Sequence, residues 1–236
     1  MKPVAIFRHS PTEGPGYFAT YLEGKRIPWT QVALDLGEPV PQDPRAFSGL
    51  VFMGGPMSVN DDLPWIPPVL ELIRRAVAAN VPVLGHCLGG QLMSKALGGT
   101  VTRNPVKEIG WGEVNIAQNP LSLHWFGGVR NFLSFHWHGE TFSLPSGATL
   151  IASSAWCPNQ AFVLGRHLGM QCHVEMTPEL IRAWCEDWEK EVASLATRTA
   201  SVQPPDEILR DLDARVKALN AVAATLYDRW IEGLVR

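Results

Sequence analysis

The sequence predicts an α/β protein: an open, mostly parallel sheet with helices on both faces, an added antiparallel region, and helices at the C-terminus. Three observations carry this. Three short runs in the first hundred residues are apolar at every position and end in polar or glycine-rich residues. A helical pattern joins the second run to the third. The middle of the chain then breaks into short strand-like runs separated by Pro, Gly and Asn. Fully apolar runs suit strands buried on both faces, and the strand–helix–strand order is a βαβ unit. The expected fold is a doubly wound sheet of the flavodoxin-like kind.

The predicted strands are Pro3–Phe7, Leu50–Gly55 and Val81–Gly85. Before the third lies "PWIPPVLELIRRAVAAN", in which Val69, Leu72, Ile73, Ala76 and Val77 fall at helical spacing and Arg74 and Arg75 fall on the other face. Ligands of such sheets gather beyond the carboxyl ends of the strands. "MGGP" and "GHC" stand at two such ends. Between Val101 and Met170, "WGEVNIA", "FLSFHWHG", "ATLIASS" and "QAFVLG" are strand candidates between turn residues. Thr177-Pro178-Glu179 predicts an N-cap, a proline in the first turn and a first-turn carboxylate, opening a helix to about Thr197. "SVQPPDE" breaks it. A second amphipathic helix is expected from about Asp206, with the stripe Leu209, Leu212, Val216, Leu219, Val222, Leu226 and Trp230. The two helices are expected to pack on the domain or against a second copy in a homodimer. The division is therefore 1–177 for a catalytic domain and 178–236 for a helical extension packed on it.

Composition narrows the function classes. The chain has 236 residues, 46% apolar and 18% charged, with a net charge of −3. That is enough chain for one sizeable core, and it carries no electrostatic footprint for nucleic acid or an anionic membrane. No stretch approaches the roughly 20 apolar residues of a membrane span, and the apolar run at the N-terminus is too short for a signal peptide. The four cysteines, at positions 87, 157, 172 and 185, show no CxxC pairing. A zinc ribbon or disulfide framework is not expected. The expectation is a cytoplasmic protein with reduced thiols.

Gly85-His86-Cys87-Leu88-Gly89 follows a strand-like run and precedes a helix-like one. This is the spacing of a nucleophile elbow with cysteine in the serine position. Small residues at Gly85 and Gly89 relieve the sharp turn that pushes the middle side chain outward. The N-terminus of the following helix favours a thiolate, and the Leu88 N–H is placed for an oxyanion. A lone cysteine is more often a core residue, so a base is needed. His173 lies two residues before Glu175; in an extended segment the two share a face, and the carboxylate can orient the imidazole. His136 and His138 likewise share a face across Trp137, but no third metal ligand is evident from the sequence. No metal site and no cofactor are expected. His9, at the end of the first strand, is read as a loop residue without a role, and the tryptophans as packing.

Four segments together resemble class I, triad-type glutamine amidotransferases. "GHCLGGQ" is similar to the Gly-x-Cys-x-Gly-x-Gln signature of that family. "GMQCHVEMT" is similar to its Gly-hydrophobic-Gln-Phe-His-Pro-Glu signature. "FMGGPMSVND" resembles its Gly-Gly-Pro oxyanion strand, and "FHWHGETFSLPSGA" its His-Gly-Asp/Glu segment followed by Leu-Pro. They occur in family order over roughly three-quarters of the chain, and the free-standing, GMP-synthase-like members are the nearest likeness. The resemblance implies that Cys87 attacks the side-chain amide of glutamine to form a γ-glutamyl thioester. His173 would protonate the departing ammonia and then activate water, with Glu175 holding the imidazole. Gly55 and Leu88 would supply the oxyanion hole, and Gln91 and the His138 segment would bind substrate. Some positions depart from the pattern: His86 replaces an aliphatic residue, Gly90 often corresponds to His or Met, and Cys172 and Val174 replace Phe and Pro. His86 is expected to pack beneath the elbow.

The sequence holds no P-loop and no Ser-Gly-Gly-x-Asp-Ser pyrophosphatase loop, and the stretch after Thr177 is too short for an ATP-binding domain. A synthase or other acceptor enzyme would therefore act in trans. Three functions remain open at this point. The first is an amidotransferase or glutaminase-type hydrolase of glutamine, the second a γ-glutamyl peptidase acting on another γ-glutamyl amide, and the third an inactive interaction module with the same fold.

Overall fold

The computed structural model describes residues 1–197 and 199–235. Strands β1 (Val4–Arg8), β2 (Trp29–Ala33), β3 (Gly49–Phe52), β4 (Val83–His86) and β9 (His167–Met170) run parallel in the order β2-β1-β3-β4-β9. The sheet continues antiparallel through β8 (Ala161–Leu164), β7 (Thr149–Ser154), β5 (Val101–Ile116) and β6 (Asn131–Phe142), giving nine strands in one sheet. The fold is thus the expected open α/β sheet, parallel in its first half and antiparallel in its second.

Alternation along the parallel strands explains why both faces need helices. Val4, Ile6, Val51 and Leu84 enter one core, and Ala5, Phe7, Leu50, Phe52 and Val83 enter the other. The second core is covered by α2 (Ile66–Ala78) and α3 (Leu88–Ala96), through Val69, Leu72, Ile73 and Leu92. The first core is covered by α1 (Gly16–Gly24) and by α8 (Leu212–Glu232). Phe18 of α1 meets the Tyr227 and Trp230 rings of α8 edge-on, with centroids 4.7 and 5.7 Å away. Among the described residues, no helix is long and apolar enough to cross a membrane.

Several elements differ from the sequence reading for local reasons. The strand predicted through Gly55 stops at Phe52, which frees Met53–Pro56 to form a loop at the carboxyl end of this interior strand. "WGEVNIA" is the end of a 16-residue strand. Pro105 sits inside that strand where the register shifts between Arg103 and Glu108, a place where its missing N–H costs no ladder bond. Helix α1, the edge strand β2 and α4 (Pro120–Phe126) carry weaker periodicity, and the sequence reading did not find them. Helix α4 is set by Asn119, whose side chain accepts the Ser122 N–H at 2.9 Å.

The cap at Thr177 forms as expected, its hydroxyl accepting the Leu180 N–H at 3.3 Å. The helix it opens breaks at Trp188 into α5 (Pro178–Asp187) and α6 (Glu189–Ala196). The last helix also divides, into α7 (Pro205–Leu209) and α8, because Asp211 adopts φ 53° between them. Leu209 therefore leaves the predicted stripe and is exposed, whereas Leu212, Val216, Leu219, Leu226 and Trp230 are buried.

Candidate active site

β4 ends at His86 and α3 begins at Leu88, so the whole reversal falls on Cys87. Its backbone is held at φ 49°, ψ −106°, a conformation that non-glycine residues rarely adopt. The turn is fixed from both sides. The Cys87 N–H donates to Met170 O at 2.8 Å, and Cys87 O accepts the Gln91 N–H at 3.0 Å. Neither flanking position admits a larger residue. A Cβ at Gly85 would strike the Gly89 carbonyl, and one at Gly89 would strike the carbonyl of Phe52.

β9 leads directly into the second half of the site. The segment after it is pinned by the His173 N–H to Phe135 O at 2.9 Å and by Glu175 O, which accepts the Tyr17 N–H at 2.7 Å. His173 Nδ1 donates to Glu175 Oε1 at 2.7 Å, and both side chains are buried. His173 Nε2 is buried without a hydrogen-bond partner among the described residues. Trp184 stands edge-on to the imidazole, with ring centroids 5.1 Å apart, and is itself held by its indole N–H to Thr12 O at 2.9 Å. Burial opposes charge on His173, but Glu175 and Cys87 outweigh it and hold the imidazole pKa well above its ordinary value. Burial likewise opposes charge on Glu175, yet His86 and His173 bring its carboxyl down to about 2. The cluster therefore favours a carboxylate beside an imidazolium, next to Cys87.

These groups meet in a cavity of about 920 Å³ at the carboxyl ends of β1, β3, β4 and β9, with Gly55, Cys87, Gln91, His138 and His173 in its wall. Gly55 and Leu88 are in contact range: a Cβ at Gly55 would come 2.7 Å from Leu88 Cδ2. Gln91 lies in the same wall, but its amide donates to Gln171 Oε1 at 3.1 Å, and Gln171 Nε2 donates to Cys87 Sγ at 3.5 Å. Gln171 was not singled out from the sequence, although it occupies the glutamine of the "GMQCHVEMT" signature. Glu13, on the loop after β1, was also missed. It fits beside His173 only because Gly54 has no side chain: a Cβ there would overlap Glu13 Oε2 and lie 3.1 Å from His173 Cε1. Burial pushes the Glu13 carboxyl up to about 7, with Glu175 adding to the rise and His173 opposing it.

His138 is held from both ends. Its Nδ1 donates to Glu140 O at 3.0 Å, and its Nε2 faces Glu108 Oε2 at 3.0 Å. Glu108 is the third group near His136 and His138 that the sequence did not reveal, since the β5–β6 register places it opposite His138. Ser154 Oγ donates to Glu108 Oε1 at 2.7 Å and Gln160 Nε2 to Oε2 at 2.9 Å, so both oxygens are engaged in tying β5 to β7 and β8. His9 is buried, with Nδ1 3.2 Å from Gly54 O, and so supports the loop that carries Gly55. His86 packs beneath the elbow, as expected, fully buried.

Several known proteins resemble this chain along most of its length. The chain is 34% identical over 197 residues to the glutamine amidotransferase-like protein YfeJ of Salmonella typhimurium, covering 78% of this chain and 80% of that one. It is 28% identical to gamma-glutamyl peptidase 3 of Arabidopsis thaliana, over 82% and 85% of the two chains. Similarity to the GMP synthase of Paraburkholderia phytofirmans, 36% identical, covers 55% of this chain but only 25% of that enzyme. A crystal structure of a glutamine amidotransferase from Methylobacillus flagellatus superposes with a TM-score of 0.98 at 48% identity, covering 100% of this chain and 96% of that one. The class-I glutamine amidotransferase family model matches residues 25–184, and the chain belongs to that family.

Proposed function

We propose that the protein hydrolyses the side-chain amide of glutamine through a γ-glutamyl thioester on Cys87. The carrying observation is the convergence of a strained thiol, an imidazole and a buried carboxylate 2.7 Å from that imidazole. Cys87 gives its proton to His173, and Sγ adds to the amide carbon. The N–H groups of Gly55 and Leu88 receive the developing oxyanion. His173 gives its proton to the departing nitrogen, which leaves as ammonia. It then takes a proton from the water that cleaves the thioester to glutamate. Glu175 holds the imidazole in the required tautomer throughout. The net reaction consumes one glutamine and one water, and the ammonia passes to an acceptor enzyme in trans.

A second reading is cleavage of a larger γ-glutamyl amide by the same steps. Two observations favour it. Similarity to a plant γ-glutamyl peptidase runs along most of both chains. The cavity, at about 920 Å³, lies near the upper end of the roughly 300–1,000 Å³ typical of ligand pockets, so it leaves room beyond a single amino acid. A panel of glutamine, γ-glutamyl dipeptides and glutathione, assayed for released ammonia and glutamate, tests both. Ammonia from glutamine, lost in Cys87→Ser, supports the first reading. Glutamate from γ-glutamyl peptides with glutamine inert supports the second, and no turnover of any member refutes both.

A further inference from the structure

His86 is the last residue of β4, one position before Cys87, and is buried among aromatic rings of α1 and α8. Its Nε2 lies 3.1 Å from the Tyr227 hydroxyl and 3.8 Å from Glu175 Oε2. Glu175 Oε1 is taken by His173, whereas Oε2 is buried with no hydrogen-bond partner among the described residues, and so is His86 Nδ1. The arrangement selects one tautomer. A proton on Nδ1 would bury an unsatisfied donor and aim the Nε2 lone pair at a carboxylate. A proton on Nε2 places the donor between the Tyr227 oxygen and Glu175 Oε2; each tautomer leaves one buried donor unpaired, Nδ1–H or the Tyr227 O–H, but only a proton on Nε2 turns a donor rather than a lone pair towards the carboxylate. Burial works against a second proton on the ring.

We infer that His86, held by Tyr227 of the C-terminal helix, is a positioning residue for the triad. Neutral and protonated on Nε2, it steadies the free oxygen of the Glu175 carboxylate that orients His173. The inference rests on the thioester reading above. It also gives α8 a place in the active site, because the helix that closes the first core supplies the hydroxyl that sets the His86 ring.

The titratable groups facing this carboxylate are His173 and Cys172 from its own segment, His86 from β4, Tyr227 from α8 and Glu13 from the loop after β1. Burial raises Cys172 to about 12 and Tyr227 well above its ordinary value, so both stay protonated across the working range. Glu13, raised to about 7 by burial, is present in every protein compared below. A donor dipole directed at Glu175 lowers proton affinity throughout the Glu175–His173 pair, so removing it moves both limbs of a pH profile upward.

The test is the pH dependence of Cys87 alkylation by iodoacetamide, followed by peptide mass, in the intact wild-type, His86→Leu and His86→Gln proteins. His86→Leu is expected to shift the profile upward by ~0.5–1 pH unit. His86→Gln, which retains an N–H donor, should recover at least about half of that shift. A folded His86→Leu protein with an unchanged profile overturns the inference, as does an equal shift in both variants. Should His86→Leu fail to fold, nitrogen-15 NMR of the histidine rings in the wild-type protein decides, with His86 assigned through its contact with the Tyr227 ring. An Nε2–H tautomer is expected, and an Nδ1–H tautomer overturns the proposal. A wild-type Cys87 inert to the probe at every pH would instead overturn the thioester reading, and with it the catalytic meaning of this contact.

Discussion

Replacing Glu175 with Gln removes one charge from the centre of the site and changes little else in shape. The carboxyl is held at about 2 against an ordinary 4.5, with burial opposing the charge and His86 and His173 more than compensating. That difference corresponds to about 3 kcal/mol in favour of the ionised form. A glutamine amide cannot supply it to an imidazolium. If the interaction is needed whenever His173 carries the proton, its loss slows thioester formation by roughly 100-fold. The assay is the initial burst of ammonia from glutamine, or of the released amine from another γ-glutamyl amide, with Cys87 alkylation as a substrate-free control. Stability provides a second readout. Because the folded pKa is depressed, the carboxylate contributes stability that is fully present above about 4.5 and is lost as pH falls towards 2. The Tm gap between wild type and Glu175→Gln should therefore narrow progressively below pH ~4.5. A folded variant that retains more than about a third of wild-type activity would refute the reasoning, since no charge would then be required beside His173.

Three further outcomes follow from contacts around the cluster. Gly54→Ala places a methyl group against Glu13 Oε2 and His173 Cε1, so activity should fall at least ~10-fold while circular dichroism stays unchanged; an active variant would show that this packing is not needed. Gln171→Leu removes the donor 3.5 Å from Cys87 Sγ and should slow alkylation at neutral pH by roughly 3- to 10-fold, which timed mass spectrometry can measure. Trp230→Ala empties a fully buried site in α8 and should cost ~3–5 kcal/mol in urea unfolding. A loss below about 1 kcal/mol would mean that α8 is not part of the core.

Much of the parallel half and of the Cys87, His173 and Glu175 cluster was legible because each depends on local signals. Apolar runs mark buried strands, and Gly-x-Cys-x-Gly between a strand and a helix leaves one outcome for the turn. His173 and Glu175 could be paired because an extended backbone puts alternate residues on one face. What stayed hidden depends on contacts distant in sequence. Glu108 becomes a partner of His138 only through the β5–β6 register. Glu13 reaches His173 only because Gly54 leaves a gap. His86 looked like filler under the elbow, and its second contact arrives from Tyr227, 141 residues downstream. The split of the last helix at Asp211 was not legible because the apolar spacing of the sequence runs on across that position, whereas its left-handed backbone takes Leu209 out of the stripe.

The most direct test of the central claim is acid quench of the protein during turnover of glutamine or a γ-glutamyl peptide, followed by peptide mapping. The account predicts a γ-glutamyl adduct on the peptide containing Cys87, absent in Cys87→Ser and also in His173→Gln, in which nothing protonates the departing nitrogen. Steady turnover with no adduct on Cys87, or undiminished turnover in Cys87→Ser, would contradict it.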